Sequence, residues 1–368
     1  MKIESEKRVL VDALSTAARA LSSRGALQAL SGILIDAGTD GVTVSASDGD
    51  ISLRVPLEAN VVTPGRVLAP GRLLSDVGKA LADGKVTLEH RVSEGDLEIS
   101  AGASTFHLKV FADEDFPPIP EPEGDPIPFP APALVETIAR VAGASSTDEA
   151  RPVLTGVFVS ASGSELTMVA TDSYRLAVKK TELPESIPSD VEANLPARAL
   201  RELSRLIEAS DTESIDLWLG ENRASFSIAG AHLSTRLIEG QFPRYQQLIP
   251  ESFDHEVTCD REELLDVVRR VAQLAQRNAA LRMSFSTGEL TLSAQTQDLG
   301  DATEALPVSF DGEALEIGFN PEFIRSGLEA ISSEQVKLRL ISPLRPGLLE
   351  PADESDFSYL VMPIRLND

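Results

Sequence analysis

The chain repeats itself. Val42-Thr43-Val44, Leu166-Thr167-Met168 and Leu290-Thr291-Leu292 begin 124 residues apart each time, and Ala46, Ala170 and Ala294 keep the same spacing. A fixed period constrains a fold strongly, because every copy must solve the same packing problem. Three stretches carry it: "LSGILIDAGTDGVTVSASDGDISLRVPL" from Leu30, "LTGVFVSASGSELTMVATDSYRLAVKK" from Leu154 and "LRMSFSTGELTLSAQTQDLGDATEALPV" from Leu281. Each reads as an alternating apolar strand, a turn with glycine, a second alternating strand, then a polar loop into a third.

Helical segments recur in step. "RVLVDALSTAARAL", "PALVETIARVAGA" and "REELLDVVRRVAQLA" open the copies with apolar residues at helical spacing. A second helix in each is expected to begin at proline, at Pro70, Pro196 and Pro321, where a missing N–H costs nothing. The expected fold is α+β: three repeated domains, each of two helices packed on antiparallel sheets. Residues 113–133 hold eight of the 23 prolines, which suits a stiff, extended connector. Phe116-Pro117 finds its counterpart in Phe242-Pro243. Boundaries near residues 125 and 252 give domains 1–125, 126–252 and 253–368.

Composition narrows the function. The opening "MKIESEKRVL" is charged and lacks the apolar segment of a signal peptide, and no apolar run is long enough to span a membrane. With Cys259 the only cysteine, no intrachain disulfide can form. A cytoplasmic location is expected, with no membrane partner. The four histidines are scattered without metal-ligand spacing, and "GKALADGK" lacks the spacing of a phosphate loop. No nucleophile, metal or cofactor motif appears, so no catalytic residue, metal or cofactor is expected.

The net charge of −25 argues against nucleic acid if taken alone. Within the helices, however, basic residues are organised. Arg198, Arg201 and Arg205 share one face, Arg72 and Lys79 stand seven apart, and so do Arg270 and Arg277, with Arg269 adjacent. A solvated face and a common polyanion surface both remain open on spacing alone. The three tyrosines, Tyr174, Tyr245 and Tyr359, each sit among apolar and arginine or amide residues, as at many interfaces. The last of these opens "YLVMPIRLND", where apolar residues alternate on both faces of an extended segment. One face could close a sheet and the other could line a groove.

Three segments carry a family resemblance. "ATDSYRLA" (170–177), "FPRY" (242–245) and "MPIRL" (362–366) resemble the signatures A-T-D-G/S-x-R-L-A, F-P-x-Y and M-P-x-R-L of the bacterial DNA polymerase III beta subunit, the sliding clamps. "GFNPEFI" (318–324) is similar to a fourth family segment, and the resemblance spans the whole chain.

That resemblance implies a homodimeric ring. Two chains pair head to tail, six domains surround duplex DNA without reading its sequence, helices line the hole and sheets form the wall. It implies a processivity factor, not an enzyme. Partners would be the replicative polymerase alpha subunit, the clamp loader and other clamp-motif proteins of replication and repair, each inserting a peptide with glutamine followed by leucine and phenylalanine. Carried over by motif match, the peptide pocket comprises Leu154, Thr171, Ser173, Tyr174, Arg175, Leu176, Pro243, Gln247, Leu248, Asn320, Leu360, Val361, Met362, Pro363, Ile364 and Arg365. Gln247 stands where the family often has arginine. DNA contacts would be Arg24, Arg72, Lys79 and Arg198, with Arg201 and Arg205 added from helix spacing. Phe106 and Leu274 would form the subunit contact. The alternatives are an enzyme using Asp172 or another loop carboxylate and a clamp-fold paralogue acting as an interaction scaffold outside bulk replication.

Overall fold

A computed structural model of the protein describes residues 1–22, 27–275, 279–296, 299–353 and 356–366. The first repeat runs β1 (Lys2–Glu6), α1 (Lys7–Ala17), β2 (Gly32–Gly38), β3 (Gly41–Ser47), β4 (Ile51–Leu57), β5 (Asn60–Thr63), β6 (Gly65–Pro70), α2 (Gly71–Ala80), β7 (Lys85–Arg91), β8 (Asp96–Ala101) and β9 (Ser104–Lys109). The second runs β10 (Ile127–Pro130), α3 (Ala131–Val141), β11 (Gly156–Ser162), β12 (Glu165–Thr171), β13 (Arg175–Glu182), β14 (Val191–Pro196), α4 (Ala197–Ser210), β15 (Ser214–Leu219), β16 (Arg223–Ile228) and β17 (Ala231–Arg236). The third runs β18 (His255–Asp260), α5 (Arg261–Val271), β19 (Leu281–Ser286), β20 (Glu289–Thr296), β21 (Gly300–Pro307), β22 (Leu315–Phe319), α6 (Pro321–Ala330), β23 (Gln335–Leu340), β24 (Gly347–Pro351) and β25 (Phe357–Val361).

Every repeat builds two four-stranded blocks with the same internal order. One block is β6-β2-β3-β4, β14-β11-β12-β13 or β22-β19-β20-β21. The other is β1-β7-β8-β9, β10-β15-β16-β17 or β18-β23-β24-β25, and β5 flanks β1 in the first. The sheets cross the repeat boundaries. β17 pairs with β4, and β25 pairs with β13, each making a continuous eight-stranded antiparallel sheet.

The two seams share one register. Buried Leu88 and Ile99 and the exposed Phe106 lie across β7, β8 and β9; their counterparts are the rows Leu217, Phe226, Leu233 and Leu338, Leu349, Tyr359. On the other block, Ala46, Ala170 and Ala294 face Leu53, Ala177 and Ala302. At the first seam Leu233 stands opposite Leu53, and at the second Tyr359 stands opposite Ala177. These are equivalent positions, so the 124-residue period governs register as well as sequence.

The chain packs as two compact units, residues 1–131 with 202–237, and residues 132–201 with 238–368. Each holds one eight-stranded sheet. In the first unit α1 lies on β3 and β4 beside α2, burying Leu10, Ala13, Leu14 and Ala17. In the second, α5 lies on β20 and β21 beside α6, burying Leu264, Leu265, Val267, Val268 and Val271. Phe116 is buried with Leu34 and Leu68; its counterpart Phe242 stacks on Phe158 at 5.4 Å. The Phe-Pro segments are therefore anchors on equivalent sheet faces.

The proline expectation needs correction. Only Pro321 occupies a first helical position, behind Asn320, whose side chain accepts from the Glu322 N–H. Pro70 and Pro196 are the last residues of β6 and β14, one position before their helices, where the chain is still extended. No helix among the described residues is long and apolar enough to cross a membrane.

Candidate functional site

The loop between β12 and β13 is held by its own side chains. The Asp172 carboxylate accepts from the Tyr174 N–H at 2.9 Å and the Arg175 N–H at 3.0 Å, and the Thr171 hydroxyl accepts from the Ser173 N–H at 3.1 Å. Aspartate and threonine supply such local turns readily. Ser173 takes a φ of +79°, a conformation uncommon outside glycine. The turn throws the Tyr174 ring outward, 58% exposed, while Leu176 stays in the core. The Met362 N–H bonds to the Tyr174 carbonyl at 2.8 Å, fixing the chain just after β25 beside this loop.

These elements border a groove of about 430 Å³ lined by Thr171, Ser173, Tyr174, Arg175, Leu176, Gln247, Leu248, Pro250, Leu344, Arg345, Pro346, Leu360 and Met362. Its floor belongs to a buried cluster of Val169, Leu176, Val178, Phe242, Leu348 and Leu360. Its walls hold Leu344 at 67% exposure, Tyr174 at 58%, Leu248 at 49% and Met362 at 42%. Large apolar side chains gathered around one concavity mark an interaction site far better than the same residues scattered singly.

Arg175 stiffens one wall. Its Nε donates to Asp172 at 3.0 Å and its Nη1 to the Tyr359 hydroxyl at 3.2 Å, while the guanidinium lies 4.6 Å from the Phe323 ring centroid. The Tyr174 ring stacks on the same Phe323 at 6.5 Å. Burial pulls the Arg175 pKa down, but Tyr359 and Asp172 outweigh it and the net shift is upward. Burial pushes the Tyr359 phenol up to about 12, so it stays neutral. Tyr359 closes on Gly327 of α6, where an added Cβ would meet the ring at 2.6 Å. Because Asp172 is committed to the turn and to Arg175, it is not placed as a catalytic base. Among the described residues no group of His, Cys, Asp and Glu could hold a metal.

Several expected pocket residues lie elsewhere. Val361 is fully buried, since β25 runs between β13 and β24 and only the chain beyond it turns outward. Leu154 is buried in a short 3-10 turn at Pro152–Thr155, outside the lining. Asn320 is occupied in capping α6. Pro243 is exposed and does not line the groove. Pro363 lies outside the lining too, and Ile364 continues to a bridge with Gly318. Ile364 and Arg365 border a different cavity of about 680 Å³ with Arg282, Ser293, Asp301 and Thr303. That cavity is larger but polar. Conversely, Pro250, Leu344, Arg345 and Pro346 line the groove without having been singled out; an exposed leucine inside "SPLRPG" was the available signal.

The basic residues are less uniform than their spacing suggests. Arg72, Lys79 and Arg198 are exposed on α2 and α4. Arg201 donates to the Ala142 carbonyl and Ser145 hydroxyl, and Arg205 pairs with the buried Glu202. In the third repeat Arg269 pairs with Asp266 and Glu329, and Arg270 with Glu304. Side chains brought together by packing thus neutralise part of the expected set. Arg24 and Arg277 lie outside the described residues. Phe106 is 38% exposed on β9, and Leu274 is half-buried at the end of a 3-10 turn.

Known proteins share this architecture over its full length. Family models of the DNA polymerase III beta subunit match residues 1–120 (N-terminal domain), 129–244 (central domain) and 246–365 (C-terminal domain). The beta sliding clamps of Streptomyces coelicolor and Synechococcus elongatus are 33% and 34% identical to the chain, with all of each sequence covered. The sliding clamp of Bacillus subtilis superposes with a TM-score of 0.91 at 27% identity, covering all of both chains. That of Pseudomonas aeruginosa bound to griselimycin superposes with a TM-score of 0.89 at 29% identity, again over all of both. With three clamp domains matched in order and whole-length relatives at this identity, the chain belongs to the DNA polymerase III beta subunit family, the beta sliding clamps.

Proposed function

We propose that the protein is a non-catalytic processivity factor for DNA polymerase, acting as a homodimeric ring around duplex DNA. One observation carries the dimer: the two internal seams leave one unmatched strand of each kind. β9 is the counterpart of β17 and β25, and β21 is the counterpart of β4 and β13. Unpaired edges are a liability unless covered, and a second copy supplies the matching edge. Two such pairings close a head-to-tail dimer. Carrying over the internal register sets Phe106 opposite Ala302 of the second copy, as Tyr359 stands opposite Ala177. The three domains would divide near residues 125 and 252.

The exposed Arg72, Lys79 and Arg198 would contact phosphate, with little affinity and no base reading. The apolar groove would receive peptides of the polymerase alpha subunit, the clamp loader and other clamp-motif proteins. A leucine and a phenylalanine buried there would contribute about 1.5–3 kcal/mol each. Sedimentation tests the register by size exchange. Ala302→Phe and Phe106→Ala alone should each weaken the dimer, and the double variant should restore it. Failure of restoration would reject the register, and a monomeric wild type would reject the dimer. Retention on loaded circular DNA, with release on linearisation, tests the ring.

A further inference from the structure

The β17–β4 seam repeats the loop and strand framework that borders the apolar groove. Loop 47–51 repeats the backbone N–H bonds of loop 171–175. The Asp48 carboxylate accepts from the Asp50 N–H at 3.0 Å and the Ile51 N–H at 2.8 Å, and the Ser47 hydroxyl accepts from the Gly49 N–H at 3.1 Å. Gly49 has the positive φ, +97°, that Ser173 has. The Arg236 N–H bonds to the Asp50 carbonyl at 2.9 Å, where the Met362 N–H bonds to Tyr174. The backbone framework is therefore shared.

The side chains on that framework are different. By register, Asp50 stands for Tyr174, Ser52 for Leu176, Ser234 for Leu360, Arg236 for Met362 and Arg223 for Pro346. An apolar surface has become one of hydroxyls and guanidinium groups. Arg223 and Arg236 stand directly opposite each other across β16 and β17. Like charges so placed are destabilising, and in a chain of net charge −25 there was no shortage of carboxylates to separate them. Yet among the described residues only Asp50 forms an ion pair with either, 4.0 Å from Arg236, and Arg223 donates to the Ser234 hydroxyl at 3.3 Å. Among the described residues no carboxylate pairs with Arg223. Burial and the neighbouring Arg236 hold the Arg223 pKa below the usual arginine range, with Asp50 opposing.

We propose that the β17–β4 seam is a second peptide-docking surface, selective for an acidic segment whose carboxylates bridge Arg223 and Arg236. Two guanidinium forks suit paired oxyanions, while the buried Ser52 and Ser234 hydroxyls are taken up by Ser47, Ser225 and Arg223. That the ligand is a peptide, not a free anion, rests on reading the apolar groove as a peptide site.

The test is fluorescence anisotropy of a labelled hexaglutamate peptide on the full chain at low salt (about 50 mM), where such contacts are least screened. Arg223→Gln with Arg236→Gln should weaken binding at least about tenfold, as expected for lost charge-assisted bonds. Met362→Asp should leave it unchanged. A labelled glutamine-leucine-phenylalanine peptide should show the reverse pattern. Arg236→Met, which keeps an unbranched stem, provides a second variant with the charge removed. No binding by wild type, or equal binding by the arginine variants, would overturn the site. Displacement by inorganic phosphate at equal charge concentration would overturn the peptide assignment. Loss of only the glutamine-leucine-phenylalanine binding would sink the reading of the apolar groove and leave the arginine contact standing.

Discussion

Replacing Tyr359 by phenylalanine isolates the bond that steadies the groove wall. The ring stays, packed against Gly327 and 1% exposed; only the hydroxyl that accepts from Arg175 at 3.2 Å is lost. Arg175 keeps Asp172 and the Phe323 face, but its Nη1 loses a partner in a place where its side chain is 14% exposed. Orphaning a buried donor costs about 1–3 kcal/mol. Partial access to water puts the figure near the lower end, about 1–2 kcal/mol. For a unit of about 200 residues that is a fall in Tm of roughly 2–8 °C. A less constrained Arg175 should also weaken a glutamine-leucine-phenylalanine peptide by about three- to tenfold, or ~0.7–1.4 kcal/mol. Thermal unfolding and calorimetric titration read the two effects. Unchanged stability together with unchanged affinity would refute the view that this bond organises the groove.

Other expectations follow from the same geometry. Burial pushes the Cys259 thiol up to about 12, so the folded chain should resist thiol reagents at pH 8 and react only on unfolding. Arg91 holds the Asp96 carboxyl, and Arg270 the Glu304 carboxyl, below their usual ranges. Groups with depressed folded pKa values stabilise above their unfolded pKa and lose that contribution as pH falls through the folded value. An acid titration should therefore show stability declining progressively from about pH 5 downward, and more gently in Arg270→Gln. With Arg72, Lys79 and Arg198 contributed by each of two copies, binding to short linear duplex should fall with a log–log salt slope of roughly −5 or shallower. A slope near −8 would mean many more phosphate contacts.

Much of the fold could be read from the sequence because strand alternation and the 124-residue period act locally. The turn at Asp172 was legible for the same reason: its bonds connect residues two or three apart. Seams were not legible. Alternation tells which side chains of β13 are buried, not that β25 is its neighbour. Leu344 and Pro250 were missed because their value lies in the cavity that distant segments enclose. The arginine pattern on α5 was read as free charge, whereas Glu304 and Glu329, remote in sequence, meet it in space. Val361 and Met362 look alike in a list of apolar residues, but β25 ends between them.

Sheets that straddle repeat boundaries make the repeat a poor unit for dissection. The middle copy expressed alone, residues 126–252, would lose β4 from the side of β17 and β25 from the side of β13. Both strands would become bare edges, one of them carrying near its start the apolar run Leu176-Ala177-Val178 that the full chain buries. Such edges invite chain-to-chain pairing. A soluble fragment would more naturally be cut along a compact unit, with residues 1–131 joined to 202–237, because there every seam strand keeps its partner.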